Sequence, residues 1–403
     1  MADWHGSTAA VTGGRALHRM ASQGRETMSV RKIDRETAPG ARNRSTAAWL
    51  AHVRLAASLP YPSWVLMPTL LTLAREHVDG AVFSFMWFDR AEERPTALWI
   101  DPINDAAYRG YLAGHPEIFM EYPVQQMLEG RGRAIRALEC TPEYETGPMY
   151  QCVLRPLGVH WGMGVPVAMG GDGLGFVSVC REREKGSYDD ADWGLWDRFA
   201  DCLGGLESRL NRWATLPCAD FRETASSTLW LDREGRLRTH GPMLRRLLFL
   251  LRHKGLGPPD WSRCDSSALP AEILPALASM FDEHAPSTLE RRLECDAGRF
   301  HFVLERMQVT PEQPEPLVGV TIRHHEPLDL IAARRLWGWP LSPQEKRILI
   351  ATARHASLAQ MAGSLGIGLG TLKGYNNTLL DRFGVESRDA LLARVLDSPP
   401  PDF

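Results

Sequence analysis

Cysteine is scarce and unpatterned: seven residues in 403, with no CxxC pair and no metal-ligand spacing. That excludes a disulfide framework or a zinc staple as the organising feature. With no secretory apolar segment at the start, the chain reads as a reduced, cytoplasmic protein. No apolar run approaches a membrane span, so any signal it receives is soluble or carried by a partner. Charge of one sign is missing too, 46 Lys and Arg standing against 49 Asp and Glu for a formal net −3. A contact with nucleic acid therefore has to be a local patch.

Enzyme signatures are equally lacking. There is no HExxH, Walker A, nucleophile elbow or dinucleotide fingerprint. The histidines His52, His77, His115, His160, His240, His253, His284, His301, His324, His325 and His355 are spread along the chain. The neighbours His324 and His325 would point to opposite faces of a strand. Cys180 and Cys295, each in a strand, read as small buried apolar residues rather than anchors for a haem or flavin. The expectation is a protein that is not an enzyme and holds no metal or resident cofactor.

What is present is a multidomain layout, as 403 residues allow two to four domains. Residues 1–48, polar and rich in Arg, Ser, Thr and Gly, read as a flexible tail. From Trp49 two helices are expected, Trp49 to Leu59 and Trp64 to Leu73, separated by Pro60 and Pro62. Ala81 to Trp87 and Thr96 to Ile100 pair as strands. Tyr108 to Leu128 is helical with interruptions. Trp161 to Met169 and Leu174 to Arg181 form a hairpin. The glycines of Gly171-x-Gly173-x-Gly175 lie between two strands with no Lys-Ser/Thr following, so they read as a turn, not a phosphate cradle. Ser187 with Asp189 and Asp190 starts a long helix to about Trp213. The aromatics Phe83, Phe85, Trp87, Trp99 and Trp161 read as core before pocket lining.

Residues 224–326 form a second α/β unit. Ser227 to Asp232 is a strand, Leu237 to His240 extends, and Pro242 to Arg252 and Pro270 to Phe281 are helices. Three antiparallel strands follow, Leu289 to Cys295, Arg299 to Gln308 and Pro316 to His325, with Asp296-Ala297-Gly298 turning the first pair. Residues 327–340 are a helical connector.

The last stretch, 341–397, scans as four short helices. Ser342-Pro343 supplies an N-cap hydroxyl and a proline at the first helical position, Ser357 caps the second helix, and Ser387 caps the fourth. Leu358, Met361, Ala362 and Leu365 recur at the spacing of a buried stripe, and Leu372, Tyr375, Leu379 and Phe383 repeat it in the third helix. Gly366-Ile367-Gly368 turns the chain between them, a helix-turn-helix arrangement. The polar side of the third helix carries Lys373, Asn376, Asn377 and Arg382. Lys and Arg suit phosphates, and Asn can pair with an adenine edge.

The order of these parts resembles the LuxR-type (GerE-like) DNA-binding domain. Leu341-Ser342-Pro343-x-Glu345, Ile348-Leu349, Ala362 with Leu365-Gly366-Ile367, Gly370-Thr371-Leu372-Lys373 and Phe383-Gly384-Val385 fall at that family's spacing. Arg347, Gly368 and Tyr375 depart from it where the family has Glu, Ser and His, and Leu358-Ala359-Gln360-Met361 replaces an Asn-Lys-Glu-Ile run. Residues 49–215 resemble a GAF-like sensor domain, through Val153-Leu154-Arg155-Pro156-Leu157-Gly158-Val159 and Tyr188-Asp189-Asp190-Ala191-Asp192. By topology alone, residues 224–326 look like a PAS-like domain.

The resemblance implies an α+β multidomain fold: two antiparallel-sheet sensor domains, GAF-like and PAS-like, followed by an all-α four-helix LuxR-type helix-turn-helix. It further implies a homodimeric transcription regulator binding double-stranded DNA. The third helices would enter successive major grooves roughly 34 Å apart, with Thr371, Lys373, Asn376, Asn377 and Arg382 at the DNA. RNA polymerase is a further partner of this kind of protein, and the GAF-like unit holds either a small-molecule ligand or a packed core. The competing expectation is a degenerate helix-turn-helix that docks polymerase or another regulator instead of DNA.

Overall fold

The computed structural model describes residues 46–89, 94–102, 145–170, 174–206, 220–251, 269–282, 284–307, 316–354 and 357–397. The expected helix Tyr108 to Leu128, the turn Gly171–Gly173 and most of the expected tail lie outside them, as do His115, His253 and His355. The chain is mixed α/β, with a four-stranded and a five-stranded antiparallel sheet and a C-terminal helical region.

Two helices open the described chain, α1 (Thr46–Ala57) and α2 (Ser63–Arg75). The first starts inside the segment expected as tail. Strands β1 (Val82–Asp89), β2 (Arg94–Asp101), β3 (Trp161–Ala168) and β4 (Leu174–Arg181) form the first sheet in the order β2-β1-β4-β3. Helix α3 (Asp190–Leu203) follows, with Asp189 as its N-cap in a reciprocal capping box with Asp192. The cap is thus Asp189 rather than Ser187, because its carboxylate reaches the Asp192 N–H at 2.8 Å.

Both faces of this sheet are covered. Phe83, Phe85, Trp87 and Trp99 turn toward α1, α2 and α3, where Trp196 meets Phe83 edge-on at 6.1 Å and stacks on Phe199 at 5.0 Å. The opposite face buries Val82, Leu98, Ile100 and Cys180 against Met149, Val153 and Leu154 of a π-helical turn, Tyr150–Leu154, and the residue before it. Every residue of β4 is buried in consequence. Gly175 is part of this packing and not of the turn: a Cβ there would fall 2.2 Å from the Phe85 ring. Trp161, unlike the other four aromatics, is only half-buried and donates its indole N–H to the Arg183 carbonyl at 3.1 Å.

The second sheet has the order β6-β5-β9-β8-β7, formed by β5 (Phe221–Leu231), β6 (Leu237–His240), β7 (Thr288–Cys295), β8 (Gly298–Arg306) and β9 (Val318–Pro327). Its inner face packs on α4 (Leu244–Leu251) and α5 (Leu274–Ser279) through Leu229, Leu231, Phe300, Phe302, Leu304, Val320 and Ile322. The outer face is polar. His324 and His325 accordingly part company: His324 is buried and stacked on Phe300 at 4.5 Å, while His325 faces Glu223.

Helix α6 (Leu328–Arg335) leads straight out of β9 and is a core element. Leu330, Ile331, Ala332 and Ala333 are buried in the same continuous apolar cluster as the first sheet, the second sheet and the C-terminal helices. Those helices are α7 (Pro343–Arg354), α8 (Leu358–Leu365), α9 (Leu369–Phe383) and α10 (Arg388–Asp397). The serine caps are in place. Ser342 and Glu345 exchange side chain-to-backbone bonds of 3.3 and 2.7 Å, and Ser357 and Ser387 accept from Gln360 and Ala390 at 3.2 and 3.1 Å. Among the described residues, no helix is long and apolar enough to cross a membrane.

Candidate nucleic-acid interface

Helix α9 is set by what surrounds it. Gly366 ends α8 in the left-handed conformation, φ 66°, and the Ile367 N–H reaches back to the Ala362 carbonyl at 3.1 Å. This is the glycine-terminated motif that only a residue without Cβ adopts cheaply. Gly368 then stands at the N-cap of α9, and no side chain caps it. A serine there would have satisfied a first-turn N–H; this helix leaves that positive end to other acceptors.

Leu372, Leu379 and Phe383 form the buried seam, and Phe383 meets Trp339 edge-on at 5.3 Å. Tyr375, expected on that seam, is 36% exposed instead. Helical geometry puts it in one row with Thr371, Thr378 and Arg382, at spacings of four, three and four residues. Lys373, Asn377 and Asp381 make a second exposed row at spacings of four.

The five residues singled out by sequence therefore divide. Thr371, Lys373 and Asn377 are exposed and make no hydrogen bond or ion pair with the described residues. Asn376 is half-buried at the edge of the seam. Arg382 is engaged: its guanidinium donates to the Pro340 carbonyl at 2.9 Å and to the Glu345 carboxylate at 3.4 Å. It fixes the end of α9 to the start of α7. The sequence carries the signal for this, since Glu345 closes the capping box of α7, but not the fold that brings residue 382 beside it.

Most cations of the helical region are similarly occupied. Residues 341–397 hold seven Lys and Arg against five Asp and Glu. Lys346 is buried with its ammonium 5.4 Å from the Trp337 ring centre. Arg354 pairs with Asp329, and Arg388 donates to the Met361 sulfur at 3.3 Å.

Sequence reading missed the junction beneath α7. Asp329 of α6 is 0% exposed and accepts from Tyr61 Oη at 2.7 Å and from Arg354 Nε at 2.9 Å. Burial pushes its carboxyl up, and the Arg354 guanidinium opposes that. Alongside, His52 of α1 donates its Nε2–H to the Ala333 carbonyl at 2.8 Å. Burial, with the Lys346 charge adding to it, holds His52 down at about 4. No metal-ligating cluster of three or more His, Cys, Asp or Glu occurs among the described residues.

No family model matches this chain, and no curated protein matches it.

Proposed function

We propose that the protein is a DNA-binding regulator whose α9 enters the major groove, as the LuxR-type resemblance implies, with GAF-like and PAS-like units as the body it is built on. The observation that carries this reading is the exposed face of α9. Among the described residues, Thr371, Lys373 and Asn377 have no side-chain partner there, directly after a glycine turn, while the opposite seam is packed. A base-reading helix needs polar side chains that are free to change partners, held by a backbone that is not. Lys373 would take a phosphate or a guanine edge, and Asn377 a base edge. Thr371, in the first turn, would take a phosphate together with the uncapped N–H groups. Arg382 would act by positioning the helix.

The second reading, docking onto polymerase or another regulator, has its own observation. Leu369 and Tyr375 are 43% and 36% exposed on the same helix, and Asp381 continues the row of Lys373 and Asn377. An acid there opposes phosphate, and exposed apolar side chains suit a protein surface.

The test is retention of genomic DNA fragments by the full-length protein at two salt concentrations with random competitor. Selective retention that falls steeply with salt supports the regulator. No retention at low salt, together with capture of polymerase through the α9 face that a Tyr375→Glu change abolishes, supports docking.

A further inference from the structure

An open sheet edge is a row of unpaired backbone groups that another chain can join. Among the described residues the two sheets end in four such edges, β2, β3, β6 and β7. Three are blunted in the usual ways: β2 carries Pro95, β3 carries Pro166, and β6 is only four residues long. Strand β7 is eight residues long, has no proline, and is guarded by charge alone.

The hairpin fixes which backbone groups of β7 are free. Cys295 pairs with Gly298 across the turn, and the Arg306 N–H bonds the Ser287 carbonyl at 3.0 Å. Odd-numbered residues of β7 therefore bond to β8, and the N–H and C=O groups of Thr288, Glu290, Arg292 and Glu294 point out of the edge. The side chains of these four residues are exposed on the polar outer face of the sheet. Glu290 is held by His301 at 3.0 Å and Glu294 by Arg299 at 2.6 Å. Arg292 makes no hydrogen bond or ion pair with the described residues.

The strand is complementary to itself. With two copies of β7 antiparallel about a two-fold axis at Arg291, Glu290 falls opposite Arg292 of the second copy, and the reverse pair repeats beyond the axis. Leu289 meets Leu293 in the same way, on the inner side, where both are half-buried. Sliding by two residues either way sets Glu290 or Arg292 against its own twin, and larger slides shorten the overlap. One like pair, Arg291 with its twin, stands against two opposed pairs. The Arg291 guanidinium now covers the Glu290 carbonyl at 2.8 Å, a bond that the backbone N–H of the second copy would replace. We propose that β7 is the contact between two copies of this chain, joined edge to edge into one continuous antiparallel sheet. Arg292 gains there the counter-charge it lacks in the single chain. This inference does not depend on what α9 binds.

The experiment is sedimentation velocity of the full-length protein across micromolar concentrations at low salt. The expected result is a monomer–dimer equilibrium. Glu290→Arg and Arg292→Glu should each raise the dissociation constant on the order of tenfold or more, because each sets like charges opposite one another twice. An equimolar mixture of the two variants should restore the dimer, since every reversed charge then faces its opposite. Should either variant fail to fold, amide hydrogen exchange on the wild-type protein decides the matter: Glu290 and Arg292 should gain protection as concentration rises. A monomer at every concentration, with those amides unprotected, means that the charges only guard the edge and overturns the proposal. A dimer that survives both variants, or a mixture that stays monomeric, overturns it as well.

Discussion

Helices α7 and α9 belong to the same C-terminal region and place their cations in opposite ways. Helix α7 turns two of its cations inward: Lys346 lies over Trp337, and Arg354 reaches the fully buried Asp329. Helix α9 packs a single apolar seam and leaves Thr371, Lys373 and Asn377 in solvent. The difference teaches that counting cations says little about a nucleic-acid surface. A guanidinium already paired with a buried carboxylate has spent its directionality inside the fold, whereas one unpaired lysine on a rigid helix remains available.

The sharpest way to break the comparison is at Asp329. Asp329→Ala would leave the partly buried Arg354 without its counter-charge and Tyr61 without its acceptor, and we expect a loss of about 3–5 kcal/mol in chemical unfolding. Asp329→Asn, which keeps an acceptor for Tyr61, should lie between the variant and wild type. A loss below 1 kcal/mol for the alanine variant would mean that α7 is not held through this junction.

Acid should act on the same junction. His52 is held at about 4 when folded but titrates near 6.5 when unfolded. The unfolded chain therefore binds more protons between those values, so stability is full above pH 6.5 and declines as pH falls toward 4. The contribution of this one group is at most about 3 kcal/mol. His52→Gln should flatten the pH dependence of unfolding in that window; an unchanged slope would show that His52 is not the responsible group.

On α9 the effects should be on binding. Lys373→Ala is expected to weaken DNA affinity by about 1–3 kcal/mol while Tm stays where it was. Equal affinity for the two proteins in a fluorescence titration would remove Lys373 from the interface. The smallest effect is at Gly374, where an added Cβ meets nothing within 4 Å. Gly374→Ala should stabilise the protein by about 0.5–1 kcal/mol. If it also lowers DNA affinity, the glycine is there for close approach of the nucleic acid.

Much of this region was legible one residue at a time. Ser342, Ser357 and Ser387 announce helix starts because a hydroxyl before a helix has one good use, and Gly366 announces a stop because other residues resist its conformation. The hairpin strands β1–β2 and β3–β4 followed from apolar runs broken by turn residues. Strand β5 was read from Ser227, yet it begins at Phe221, because Arg222, Glu223 and Thr224 face solvent and give no apolar alternation. Tyr375 fitted the apolar spacing of α9 but lies outside the seam, since spacing alone does not fix how wide the buried stripe is.

The sequence by itself determined part of the local chain: where the C-terminal helices start, which turn between them needs glycine, and that the third of them has a polar side carrying Lys373 and Asn377. Those depend on backbone geometry and on neighbours within a turn or two. Only the tertiary structure decided which charges are at work inside. Asp329 meets Tyr61, Arg382 meets Pro340, and Arg334 meets Thr69 and Glu326 because distant segments converge there. Burial sets the worth of each such charge, and burial belongs to the whole fold.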